Sequence, residues 1–61
     1  MHEQAARDVL ANAIRPDDSL HNMDWYIDWS PGQDTARIDG IFSAHTLQAV
    51  AWWMQHKKGA P

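Results

Sequence analysis

The side chains of this chain that could do chemistry are the four histidines His2, His21, His45 and His56, eight carboxylates, and the serines Ser19, Ser30 and Ser43; cysteine is absent. His21 with Asp24 and Asp28 could supply mixed ligands to a metal, but no histidine stands in a zinc spacing such as HExxH or a Cys/His set. His45 and His56 lie about 16 Å apart along a helix rising about 1.5 Å per residue, too far to share one ion. The Asp39-Gly40 step invites a calcium loop. With Gly40 at the invariant glycine position, the first and twelfth ligand positions fall on Thr35 and Thr46 and the third on Arg37. That set lacks the bidentate carboxylate and adds a cation. Calcium is rejected there, and the glycine reads as a strand-to-helix turn. The serines fall in turns and a helix cap, there is no thiol nucleophile, and a domain of this size has little room for a water-excluding pocket. The expectation is a non-enzymatic chain with no catalytic residues, no metal site and no cofactor.

Composition narrows the class. The formal net charge is −3 over 61 residues, which opposes attraction to nucleic-acid phosphates, since that rests on clustered Lys and Arg. Asp17, Asp18, Asp24, Asp28, Asp34 and Asp39 gather in the middle of the chain with Arg37 as their only strong base. They read first as turn formers and a solvated face, and second as an acidic surface for a basic partner or a phosphate mimic. No apolar run reaches the length of a membrane span and the N-terminus lacks a signal-peptide pattern. With no cysteine, the reducing cytoplasm is the expected compartment.

These side chains must be positioned by a small set of elements within one domain, residues 1–61. Gly40 to Lys57 carries the clearest helix signals: Ser43 as N-cap, Phe42 and Leu47 at the two positions of a hydrophobic staple, and Leu47, Val50, Ala51 and Met54 at the spacing of one buried face. Lys57, Lys58 and the Gly59 stop close it, giving a helix over about 44–57, and Gly59-Ala60-Pro61 is expected to fray. An amphipathic helix is predicted over about 3–15, ending near Pro16. Leu20 to Asp24 reads as a polar connector. Trp25, Ile27 and Trp29 alternate with Tyr26 and Asp28 as a strand with one buried face, Ser30-Pro31-Gly32-Gln33 fits a type II turn, and the return run places Ala36 and Ile38 beside the tryptophans and Arg37 across from Asp28. The hairpin spans about 25–41, with Trp25, Ile27, Trp29 and Ile38 as its core. The predicted fold is an α+β mini-domain in the order helix, strand, strand, helix. A chain this short has a marginal core, and without disulfides self-association is the expected supplement.

The informative anomaly is four tryptophans in so short a chain. With Leu47, Val50, Ala51 and Met54 facing inward, Trp53 lies at the edge of that face and Trp52 turns almost opposite, where a large ring left in water would be expensive. His45, Ala49, Trp52 and His56 form a stripe that reads the same from both ends. Two antiparallel copies of the helix would set Trp52 over the partner's Ala49, the self-complementary patch that a two-fold dimer needs. His45, Ala49, Trp52, Trp53 and His56 are therefore the candidate contacts for a homodimer or an unidentified protein partner.

The run WYIDWSP followed by DTARIDGIFSAHTLQAVAWWM, covering Trp25 to Met54, is similar to small accessory proteins of bacteriophages that infect actinobacteria. Those look like a short aromatic strand, an Ile/Leu-Asp-Gly step and a Leu/Ala-rich helix with tryptophan; acidic residues commonly fill the first helical turn where this chain has His45 and Thr46. The resemblance implies a protein-binding role in a host bacterial cytoplasm. The alternative function is nucleic-acid-related regulation, through a paired β-ribbon in a dimer or through acidic phosphate mimicry.

Overall fold

The computed structural model describes residues 1–57; Lys58, the Gly59 stop and the fraying expected of Gly59–Pro61 lie outside the described residues. The fold is an α+β mini-domain of two helices and a three-stranded antiparallel sheet. In chain order the elements are α1 (Glu3–Leu10), β1 (Leu20–Asn22), β2 (Ile27–Trp29), β3 (Arg37–Ile38) and α2 (Ala44–His56), and the sheet order is β1-β2-β3. The segment read as a polar connector is thus a strand. Leu20 pairs with Trp29 and Asn22 with Ile27, and the burial of Leu20 and Asn22 around exposed His21 gives β1 the period of a half-buried strand.

Helix α1 begins where His2 Nδ1 accepts the Ala5 amide at 3.2 Å and ends five residues before the predicted boundary, at Leu10 rather than Arg15. The cause is competition for backbone groups. The Ala13 carbonyl accepts the His21 amide at 2.8 Å and the Arg15 amide donates to Ser19 at 2.9 Å, while Ile14 bridges Leu20. The Ile14 amide still bonds the Leu10 carbonyl at 3.1 Å, but the Ala13 carbonyl and the Arg15 amide are given to the approach to β1 and cannot continue the helix. Pro16 and Asp17 form the turn between them, closed by the Asp18 amide to the Arg15 carbonyl at 2.9 Å. The Asp17 carboxylate accepts both the amide and the hydroxyl of Ser19, at 3.0 and 2.6 Å, and these bonds hold its pKa below the ordinary aspartate range.

The loop from β1 to β2 holds four residues, Met23 to Tyr26, and is organised by Asn22. Its side-chain oxygen accepts the Trp25 amide at 3.0 Å and its nitrogen donates to the Asn12 carbonyl at 3.2 Å, so one buried amide ties the hairpin to the end of α1. Trp25 consequently sits in the loop, half-buried, while Ile27 and Trp29 carry the sheet's inner face and Ile38, half-buried, pairs with Ile27. The Ser30–Gln33 turn forms as predicted, with Gly32 at φ +97° and the Gln33 amide bonded to the Ser30 carbonyl at 3.0 Å. The Gln33 carbonyl also accepts the Trp29 indole N–H at 3.0 Å. Asp28 and Arg37 are register partners, but the guanidinium lies over the Tyr26 ring, 5.2 Å from its centroid.

The helices run antiparallel. Glu3, at the start of α1, accepts from Arg7 at 3.0 Å and lies 3.3 Å from the Lys57 ammonium at the end of α2; Arg7 and then Lys57 lower its pKa. Both cations stand over the Trp53 ring, 5.1 and 5.3 Å from the centroid. The chain exposes 4164 Å², close to the roughly 4,000 Å² of a compact chain of its mass. Among the described residues, no helix is long and apolar enough to cross a membrane.

Candidate binding surface

Helix α2 decides which surface this protein offers. Ser43 caps it as predicted, its hydroxyl accepting the Thr46 amide at 3.1 Å, and Phe42 beside it is half-buried while Leu47 remains 47% exposed. The staple's second member is therefore largely in water. The buried face is turned from the predicted one by about one residue, or about 100°. Ala49, Val50 and Trp53 are the buried residues of α2, whereas Ala51 and Leu47 are exposed and Met54 is half-buried.

Two physical reasons select this register. Trp53 brings the larger apolar area, and its indole N–H reaches the Asp18 carbonyl at 2.7 Å, so the ring is fully buried without an orphaned donor. Ala49 opposite α1, whose own buried residues are Ala6 and Leu10, leaves room for the two helices to approach closely.

This corrects the predicted contact stripe. Ala49 and Trp53 are 0% exposed and cannot meet a partner while the domain is folded. Trp52 is half-buried at the core's edge, and the chain itself covers part of it: the His56 ring stacks on it at 4.1 Å and 12°, and Trp53 lies 6.2 Å away at 48°. His56 Nδ1 also stands 2.8 Å from the Trp52 carbonyl. His45 is exposed. The four residues no longer make a continuous open patch, since the member meant to receive the partner's indole lies under the protein's own packing.

What α2 leaves open is the side that its periodicity marked for the core. From Ala44 to His56 it carries no Asp, Glu, Lys or Arg, and a helix apolar on more than one side is normally covered on each. Its uncovered side holds exposed Leu47 and Ala51, with Met54 at its margin, half-buried against the core. Ala51 and Met54 line a groove of about 530 Å³ shared with Gly32, Gln33 and Asp34 of the type II turn and with Gln55. At the other end of the helix a second cleft, of about 320 Å³, is lined by Asp24, Trp25, Asp39, Ile41 and Phe42 among others. Gly40 shapes it, with φ +135° and Trp25 and Phe42 packed close by. Ile41, two residues before the cap, is 103% exposed.

No sequence signal identified Ile41 as exposed. The exposed stripe was visible as apolar residues but assigned to the wrong side.

The histidines and carboxylates do not converge: among the described residues no group of three could hold a metal ion. His21 and Asp28 approach only to 3.9 Å, both substantially exposed. No protein-family profile, curated protein sequence or solved structure matches the chain.

Proposed function

We propose that this is a non-enzymatic protein-binding module whose contact surface is the outer side of α2, Leu47, Ala51 and Met54, continued by Ile41. One observation carries the reading: a helix without a single formally charged side chain is covered on one side and bare on the other. Burying a side chain such as leucine is worth about 1.5–3 kcal/mol, so this side gains from any complementary partner. Trp52 and His56 flank the surface as secondary contacts. The likeness to phage accessory proteins supports the same role, in a bacterial host's cytoplasm.

Nucleic acid has less support. The outward residue of β2 is Asp28, and Arg37, the sheet's one strong base among the described residues, is engaged over Tyr26.

The test is affinity capture with the native chain and with Leu47→Asp as baits. Leu47 is largely exposed, so the variant is expected to keep its unfolding midpoint while losing the retained protein. Identical capture profiles from two folded baits would remove the reading.

A further inference from the structure

We infer that the partner's binding segment is basic, with a lysine or arginine side chain entering the cleft at the start of α2; this rests on the protein-binding reading above. The uncovered side of α2 is bounded at both ends by carboxylates: Asp34 lines the groove beside Ala51 and Met54, and Asp24 and Asp39 line the cleft beside Ile41. Among the described residues, neither cavity is lined by a lysine or arginine. An apolar strip with acid at each end complements an amphipathic segment that carries cations beyond its apolar face.

The cleft also has the chemistry for a cation's body. Trp25 and Phe42 line it, and both are half-buried, so the aliphatic stem of a long basic side chain meets apolar surface while its head meets the carboxylates. The opposing influence is the N-terminus of α2, equivalent to roughly half a positive charge. Ser43 already satisfies one of its donors, and two full negative charges outweigh it. A second copy of this chain fits poorly, because pairing this face with itself opposes acidic end to acidic end, Asp24 and Asp39 to Asp34 in the antiparallel arrangement and each to its own image in the parallel one.

The experiment titrates the isotopically labelled full chain by NMR with three short amphipathic peptides: a Leu/Lys repeat, its Leu/Ser counterpart and its Leu/Glu counterpart. The expected result is saturable binding of the Leu/Lys peptide, with shifts centred on the amides of Gly40, Ile41 and Leu47 and on the Trp25 indole. Affinity is expected to fall about fivefold or more in the folded Asp24→Asn/Asp39→Asn variant, and wild-type affinity to fall as salt rises. Equal affinity for the Leu/Ser peptide at the same residues would overturn the inference of a basic partner while leaving the protein-binding reading intact. Failure of all three peptides to bind overturns it too, and the Leu47→Asp capture then judges the broader reading separately. Shifts at these residues that grow with protein concentration alone would make a second copy the occupant and overturn it as well.

Discussion

Replacing Trp53 with phenylalanine removes the bond that pins α2 to the turn after α1. The indole is 0% exposed and donates to the Asp18 carbonyl at 2.7 Å, across 35 residues of sequence. Phenylalanine keeps the apolar body but leaves that carbonyl without its donor, at about 1–3 kcal/mol, and the lost ring volume adds about 1 kcal/mol. The attraction of Arg7 and Lys57 to the ring also weakens, since phenylalanine is a poorer cation acceptor than tryptophan. The sum is about 2–4 kcal/mol, a large share of the roughly 3–9 kcal/mol that 61 residues support at about 0.05–0.15 kcal/mol each. Trp52→Phe serves as the control. That ring is half-buried at the core's edge and stacked on His56, so its cost is about 1 kcal/mol or less. Urea unfolding followed by far-UV circular dichroism separates the two, and a thermal scan should place Trp53→Phe about 10–25 °C below the native midpoint. Equal losses for the two variants, or a larger one for Trp52→Phe, would refute the register assigned to α2.

Asn22→Leu leaves the Asn12 carbonyl and the Trp25 amide without partners and is expected to cost about 2 kcal/mol or more in the same urea titration; an unchanged midpoint would count against the Asn22 bridge. Gly40→Ala meets only ordinary contacts, the nearest at 3.5 Å, but must hold φ near +135°, so it should lose about 1–3 kcal/mol through backbone strain. The depressed pKa values of Glu3 and Asp17 mean that both carboxylates contribute stability above the ordinary carboxylate range and lose it as pH falls through their lowered folded-state values. Both are exposed and the effect is modest; Glu3→Gln should flatten part of the acid limb of midpoint against pH, and an unchanged limb would count against the Arg7–Glu3–Lys57 cluster.

How much of this was legible followed from how local the chemistry is. The Ser43 cap and the Ser30–Gln33 turn depend on residues three apart, and both form as the residue types require. Strand β1 was hidden because it is three residues long and turns a polar residue, Asn22, inward; its burial makes sense only once Asn12 and Trp25 are known to converge on it. Helix α1 stops early because Ala13 and Arg15 spend their backbone groups on a neighbour the sequence does not name. The face of α2 was ambiguous in principle. Leu47, Val50, Ala51 and Met54 satisfy helical spacing, and so do Thr46, Ala49, Val50 and Trp53. Periodicity cannot choose between them. The choice falls to tertiary features, a carbonyl at Asp18 placed to receive an indole N–H and an alanine small enough to sit against α1. The candidate surface was therefore read as core, and part of the core as surface.

The most direct test of the account places the same charge at two alanines of α2, two residues apart, and compares urea midpoints for Ala51→Asp and Ala49→Asp. Ala51 lies on the bare side and Ala49 is fully buried. Ala51→Asp should lose about 1 kcal/mol or less, close to the helix-propensity difference alone, and Ala49→Asp should leave little folded protein, since an unpaired buried carboxylate costs several kcal/mol. A folded Ala49→Asp beside an unfolded Ala51→Asp would return Leu47 and Ala51 to the core and remove the proposed binding surface with them.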